Sequence, residues 1–135
     1  MKAHTVRVPL TATNLQNDII ARIQYDGWDA WRVNTVGLYD QQTGSRRKVK
    51  ATELGKADTF CCLAGIFVTI ELKVSKSDRQ RDDQKLFENR VIRAGGHYVI
   101  VKDQTEFLKW YEGFKIKHKL VVNRTAEVKN QLKLI

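Results

Sequence analysis

Apolar positions fall on one helical stripe at Leu15, Ile19, Ile20 and Ile23, which predicts a first helix capped by Thr13 or Asn14 and ended by Gly27. Trp28 to Val33 then reads as a strand, followed by a polar stretch, Tyr39 to Lys50, with a turn at Gln42-Thr43-Gly44. Two β-rich runs, Thr59 to Leu63 and Ile66 to Val74, flank Ala64-Gly65 and predict a hairpin. Ser77-Asp78-Arg79-Gln80 resembles a capping box, opening a helix with Phe87, Val91 and Ala94 on one stripe and a stop at Gly95-Gly96. His97 to Lys102 reads as a further strand, and Thr105 as the cap of a helix carrying Phe107, Leu108, Trp110 and Tyr111. The order is α-β-(β)-β-β-α-β-α, a mixed α/β domain with helices on both sides of a central sheet.

The hairpin places specific residues together. If Ala64-Gly65 is a two-residue loop, Leu63 faces Ile66, and pairing outward from there sets Asp58 opposite Glu71. Directly opposed residues point to the same face with Cβ atoms roughly 4.5–5.5 Å apart. Lys73, two residues beyond Glu71, shares that face. The reverse face is Ile66, Val68, Ile70, Leu72 and Val74, an unbroken apolar set that a slip of one residue would turn to solvent. Ala-Gly is not a preferred two-residue turn, and a bulge there would move Asp58 to a diagonal position.

Opposed carboxylates repel unless a positive charge lies between them. A hard divalent cation resolves the conflict, and oxygen ligands with an open hydration shell suit Mg²⁺ or Mn²⁺. Lys73 beside the pair would orient or deprotonate the attacking water and offset charge on a phosphate. Gln84, three residues before Phe87, lies on the sheet-facing stripe of the next helix and reaches the same place. The chemistry implied is metal-assisted phosphodiester hydrolysis. Taken alone, Glu-Leu-Lys is an ordinary surface tripeptide in so charged a chain; the opposed Asp58, the apolar reverse face and the aligned Gln84 separate it from that background.

Composition narrows the partner. The chain has 135 residues, the size of one domain. Its 24 Lys and Arg against 15 Asp and Glu give +9, which suits a polyanion, nucleic acid before an anionic membrane surface. No apolar run approaches the roughly 20 residues of a membrane span, and Met1 to Arg7 carries no apolar signal region. Cys61 and Cys62 are adjacent, a poor geometry for a disulfide, and there is no CxxC. A reducing cytoplasm, bacterial or that of a phage-infected host, is the expected setting. His4, His97 and His118 are scattered without ligand spacing, and Trp28, Trp31 and Trp110 read as core or interface residues rather than base-stacking platforms.

Gly55-Lys56-Ala57-Asp58, Ile70-Glu71-Leu72-Lys73, Gln84, and the run from Ala94 to Val101 together resemble the PD-(D/E)XK nuclease superfamily. Within it the chain most resembles the virus-type replication-repair nuclease (VRR-NUC) domain, kin to Holliday junction resolvases. The likeness runs from about Leu15 to Tyr111, with Gly27 and Arg32-Val33-Asn34 as supporting positions. It implies a restriction-endonuclease-like fold with an α-β-β-β-α-β core, in which Asp58 and Glu71 bind the metal, Lys73 assists the water and Gln84 belongs to the active-site helix. It further implies a homodimer acting on branched DNA in repair or recombination.

Two positions depart from the pattern. Ala57 stands where the family usually has proline, and Gln16 stands where the first helix commonly supplies a further carboxylate. Asp18 is nearby but lies about 200° around the helix from Gln16. Both remain possible accessory groups.

The expected organisation is a nuclease domain over residues 1–114 and a basic extension over 115–135. That extension holds six Lys and Arg against Glu127 alone, +5 of the total +9. It reads as a strand and short helix serving as a DNA-contacting arm, a dimer element or a solvated terminus. Arg32, the basic edge Arg46, Arg47, Lys48 and Lys50, and Lys76, Arg79, Arg81 and Lys85 are the expected phosphate contacts. The expected function is a structure-selective DNA endonuclease. The alternatives are a non-catalytic nucleic-acid-binding module of the same fold and a restriction-type sequence-specific nuclease. Membrane association is not expected.

Overall fold

A computed structural model describes residues 11–33, 39–46 and 57–124. The first helix, α1 (Ala12–Tyr25), buries Leu15, Ile19 and Ile23, as its stripe predicts. Its cap is Thr11 rather than Thr13 or Asn14: the Thr11 hydroxyl accepts from the Asn14 backbone N–H at 3.0 Å. Gly27 follows the helix with φ +96°, and a Cβ there would lie 2.5 Å from the Asn123 carbonyl oxygen, so both conformation and space require glycine.

Strand β1 (Asp29–Arg32) is next, then the short strands β2 (Tyr39–Asp40) and β3 (Ser45–Arg46), which pair around the expected turn. Strands β4 (Thr59–Leu63) and β5 (Ile66–Leu72) form the hairpin in the expected register, from Leu63↔Ile66 out to Thr59↔Ile70. Ala64 and Gly65 both have positive φ, 52° and 84°, the backbone a tight two-residue turn demands. No bulge intervenes, because the five-residue apolar face fixes the register and Ala64 accepts the less favoured conformation.

Helix α2 (Asp82–Arg93), with Arg81 at its N-cap, starts four residues later than the sequence pattern suggests. Residues 75–78 close on themselves instead: Asp78 N–H donates to the Ser75 carbonyl at 3.0 Å, and Ser75 N–H donates to the Asp78 carboxylate at 3.3 Å. Such short polar side chains compete with the helix for backbone groups. The helix ends before Gly95, as expected. Strand β6 (His97–Val101) pairs parallel with β5, and α3 (Gln104–Lys117) closes the fold. Asp103 caps α3 in place of Thr105, accepting from Glu106 N–H at 2.8 Å.

The four-stranded sheet has the order β1-β4-β5-β6, antiparallel except for β5–β6, so the described residues form an α/β fold with a mixed sheet and three helices. Alternation along β4 and β5 divides it. One face sends Cys61, Leu63, Val68, Ile70 and Leu72 into a core with α1 and α3; the other meets Phe87 and Val91 of α2 through Phe60 and Tyr98. The same alternation separates the cysteines: Cys61 is buried, its thiol pushed up to about 12 by burial, and Cys62 is exposed. Among the described residues, no helix is long and apolar enough to cross a membrane.

The expected domain edge at residue 114 lies inside α3, and the chain beyond it packs back. Leu120 lies against the core, Asn123 N–H donates to the Asp26 carbonyl at 3.1 Å, and Arg124 reaches the Asp26 carboxylate. Residues 119–124 form neither the expected strand nor a detached arm, because the buried Asp26 draws two of the extension's cations inward. The rest of the extension, with Lys129 and Lys133, lies outside the described residues.

Candidate active site

Asp58 stands immediately before β4, one step beyond the last paired residues, and its carboxylate takes over the ladder: Oδ2 accepts from Leu72 N–H at 2.8 Å. Glu71 lies one residue earlier on β5 and points to the α2 side, only 2% exposed. Burial first, and then the charge of Asp58, raise the Glu71 carboxyl to about 7, against the opposing pull of Lys73.

Lys73 and Gln84 complete the group. Lys73 Nζ is 3.4 Å from Glu71 Oε1. Gln84, 4% exposed, donates from Nε2 to the same oxygen at 2.7 Å, while its Oε1 accepts from Arg81 N–H at 2.9 Å and so caps α2. One amide therefore starts the helix and orients the acid. The four residues named from the sequence are brought together on one face.

Tyr98 is an addition. Its hydroxyl donates to Glu71 Oε2 at 3.5 Å, and burial together with the Glu71 charge raises its pKa. It sits on β6 opposite Thr69, so a parallel register supplied from outside the hairpin would have been needed to find it.

The accessory groups separate. Gln16 Nε2 donates to the Asp58 carbonyl at 2.9 Å and to Thr59 Oγ1 at 2.8 Å, from the α1 side of the sheet. It fixes the backbone that carries Asp58 and does not reach the carboxylates. Asp18 is exposed on the outer side of α1. Ala57 is fully buried against Phe87 and Val91, which a small apolar residue satisfies without the proline.

The donor set fits a hard divalent cation. Among the described residues no group of three His, Cys, Asp or Glu side chains converges. A cation that keeps several waters needs only one or two carboxylates, however, and Asp58 with Glu71 supplies two, the second with its pKa raised to about 7 by burial and by the charge of Asp58. Magnesium and manganese meet that description.

The expected phosphate contacts are distributed unevenly. Lys76, Arg79, Arg81 and Lys85 are exposed on the loop before α2 and on its first turn, beside Gln84. Arg79 folds onto its own loop, donating to the Lys76 and Asp78 carbonyls, and Arg81 pairs with Asp83 at 3.3 Å. Arg32 is exposed but hydrogen-bonds Asn17 on α1, on the sheet face away from the acids. Arg46 belongs to β3, and Arg47, Lys48 and Lys50 lie outside the described residues, as does His4. His97 and His118, far apart in sequence, meet with ring centroids 5.2 Å apart against Phe114, remote from the acidic pair.

No family model, curated protein or solved structure matches the chain.

Proposed function

We propose that the protein is a Mg²⁺- or Mn²⁺-dependent, structure-selective DNA endonuclease of the PD-(D/E)XK type, similar to VRR-NUC domains and junction resolvases. The observation that carries this reading is the acidic pair of half-buried Asp58 and buried Glu71, which shares one face with Gln84 and with Lys73, whose ammonium is 3.4 Å from Glu71. A divalent cation held by Asp58 and Glu71 would supply Lewis-acid charge to the scissile phosphate.

The chain's own groups have distinct tasks. Gln84 and Tyr98 hold the two Glu71 oxygens in place. Gln16 and Leu72 N–H fix Asp58 from its backbone and side-chain ends. The Lys73 ammonium orients the attacking water in line with the leaving oxygen and offsets the negative charge that builds on the phosphate. Lys76, Arg81 and Lys85 beside the entrance hold the sugar–phosphate backbone without reading bases. A homodimer presenting one site to each strand is the assembly that junction cleavage calls for.

A non-catalytic DNA-binding module is the second reading. It is favoured by Gln16, whose amide is committed to the backbone where a further acid would bind metal. The deciding experiment incubates the protein with a four-way junction, a flap and a linear duplex, with Mg²⁺ or with EDTA. Cleavage should need the metal, favour branched DNA, and fall about a thousandfold or more in Glu71→Ala and Lys73→Ala, an electrostatic contribution of catalytic size. Cleavage that persists in EDTA or survives Glu71→Ala sinks the mechanism. Calorimetry finding no Mn²⁺ binding dependent on Asp58 and Glu71 favours the binding module.

A further inference from the structure

The sheet face that carries Asp58 and Glu71 continues toward the hairpin tip as a row of aromatic rings. Trp31 on β1, Phe60 on β4 and Phe67 on β5 follow one another with ring centroids 6.4 and 5.3 Å apart, and Phe87 of α2 lies parallel to Phe60 at 6.0 Å. Register and alternation put them there: Trp31 pairs with Phe60, and β5 sends Phe67, Thr69 and Glu71 to the same side. Phe87 is covered, but Phe67 remains 39% exposed and Trp31 44%.

Between the hairpin tip and the C-terminal half of α2 lies a groove of about 720 Å³, with Phe67, Phe87 and Val91 inside and Arg90 and Arg93 at its rim. Among the described residues, no acidic residue lines it. Gly96 lets Val91 and Phe67 close against its backbone, since a Cβ there would lie 2.9 Å from Val91 Cγ1 and 3.1 Å from Phe67 Cδ1.

An outward aromatic ring beside arginine side chains selects an occupant that has flat apolar faces strung on a negative backbone. Paired DNA hides its base faces within the stack, whereas an unpaired strand presents them. An acidic peptide would meet the arginines but leave the rings without planar partners. We propose that this groove binds a single-stranded segment of DNA, a base on Phe67 and a phosphate on Arg93, with Trp31 further along the same sheet face. The inference rests on the nuclease reading of the acidic pair, which lies four residues, about 13 Å, along β5 from Phe67. It makes the preferred substrate DNA from which an unpaired arm leaves near the cut, a flap or splayed end.

The test is fluorescence anisotropy of the full chain in EDTA, where nothing is cut, with a blunt duplex and the same duplex bearing an oligothymidine tail. The tailed duplex should bind about tenfold tighter, the contribution of roughly one stacked base. Phe67→Ala and Arg93→Ala should each remove most of that preference, and Phe67→Trp should keep it, which separates stacking from folding. Equal affinity for the two duplexes, no binding of either, or a Phe67→Ala protein that still prefers the tail would overturn the proposal. Metal-dependent cutting lost in Glu71→Ala would survive that failure. Conversely, a tail preference without any cutting would retain the groove and remove the nuclease.

Discussion

Two buried acids set the two ends of this molecule apart. Asp26, fully buried after α1, receives Tyr111 Oη at 2.7 Å, Arg124 Nη2 and Nε at 2.7 and 3.0 Å, Arg22 at 3.3 Å and Lys115 at 3.7 Å. Burial alone would raise its pKa, yet the hydrogen bonds from Tyr111, Arg124 and Arg22 prevail and hold it below the usual carboxylate range. Glu71, equally enclosed, has one lysine, one amide and another acid beside it, and stays protonated to about neutrality. Burial is common to both; the balance of charge is not. An acid surrounded by cations from three parts of the chain ties that chain together. An acid left short of cations is held ready for a charge that comes from outside.

Substitution sharpens the contrast most at Asp26. Asp26→Ala should destabilise the protein by about 3 kcal/mol, because it leaves Lys115 and Arg124 without their shared partner, measured by urea denaturation. Glu71→Gln should do the opposite in EDTA near pH 8, raising the melting temperature by roughly 5 °C, since it removes a charge that burial and Asp58 disfavour while keeping an oxygen to accept from Gln84. A Glu71→Gln protein that melts lower than the wild type there would break the comparison.

The pH profile is a finer probe. Glu71 has its folded pKa raised from 4.5 to about 7, so the folded state holds the extra proton and its stabilisation is lost as pH rises between those values. Asp26 is lowered from 3.8, so its contribution is present above that value and is lost as pH falls through the folded pKa. Metal-free melting curves should therefore fall on both sides, with Glu71→Gln flattening the neutral limb and Asp26→Asn the acid limb. Saturating Mn²⁺ should also lift the neutral limb in the wild type only.

The hairpin register, and with it Asp58, Glu71 and Lys73, was legible because alternation and a two-residue turn are local constraints. Gln84 followed from a helical stripe. The start of α2 was not legible, since Ser75–Asp78 satisfies its own backbone in a turn that looks like a cap. Nor were Tyr98 and the Asp26 cluster. Tyr98 meets Glu71 across a parallel pairing, and Arg124 meets Asp26 from 98 residues away, distances over which no periodicity speaks. The basic extension illustrates the consequence: counted as free charge, part of it is already engaged with a buried carboxylate.

Gln84 binds two events into one. Its carbonyl oxygen starts α2 while its amide nitrogen restrains Glu71, so fraying of the first helical turn and release of the acid are the same motion. The rate at which the backbone hydrogen of Arg81 exchanges with solvent thus becomes a clock for how often the acidic pair is let go. On the proposed function, a DNA phosphate that draws Arg81 outward would set that clock running faster.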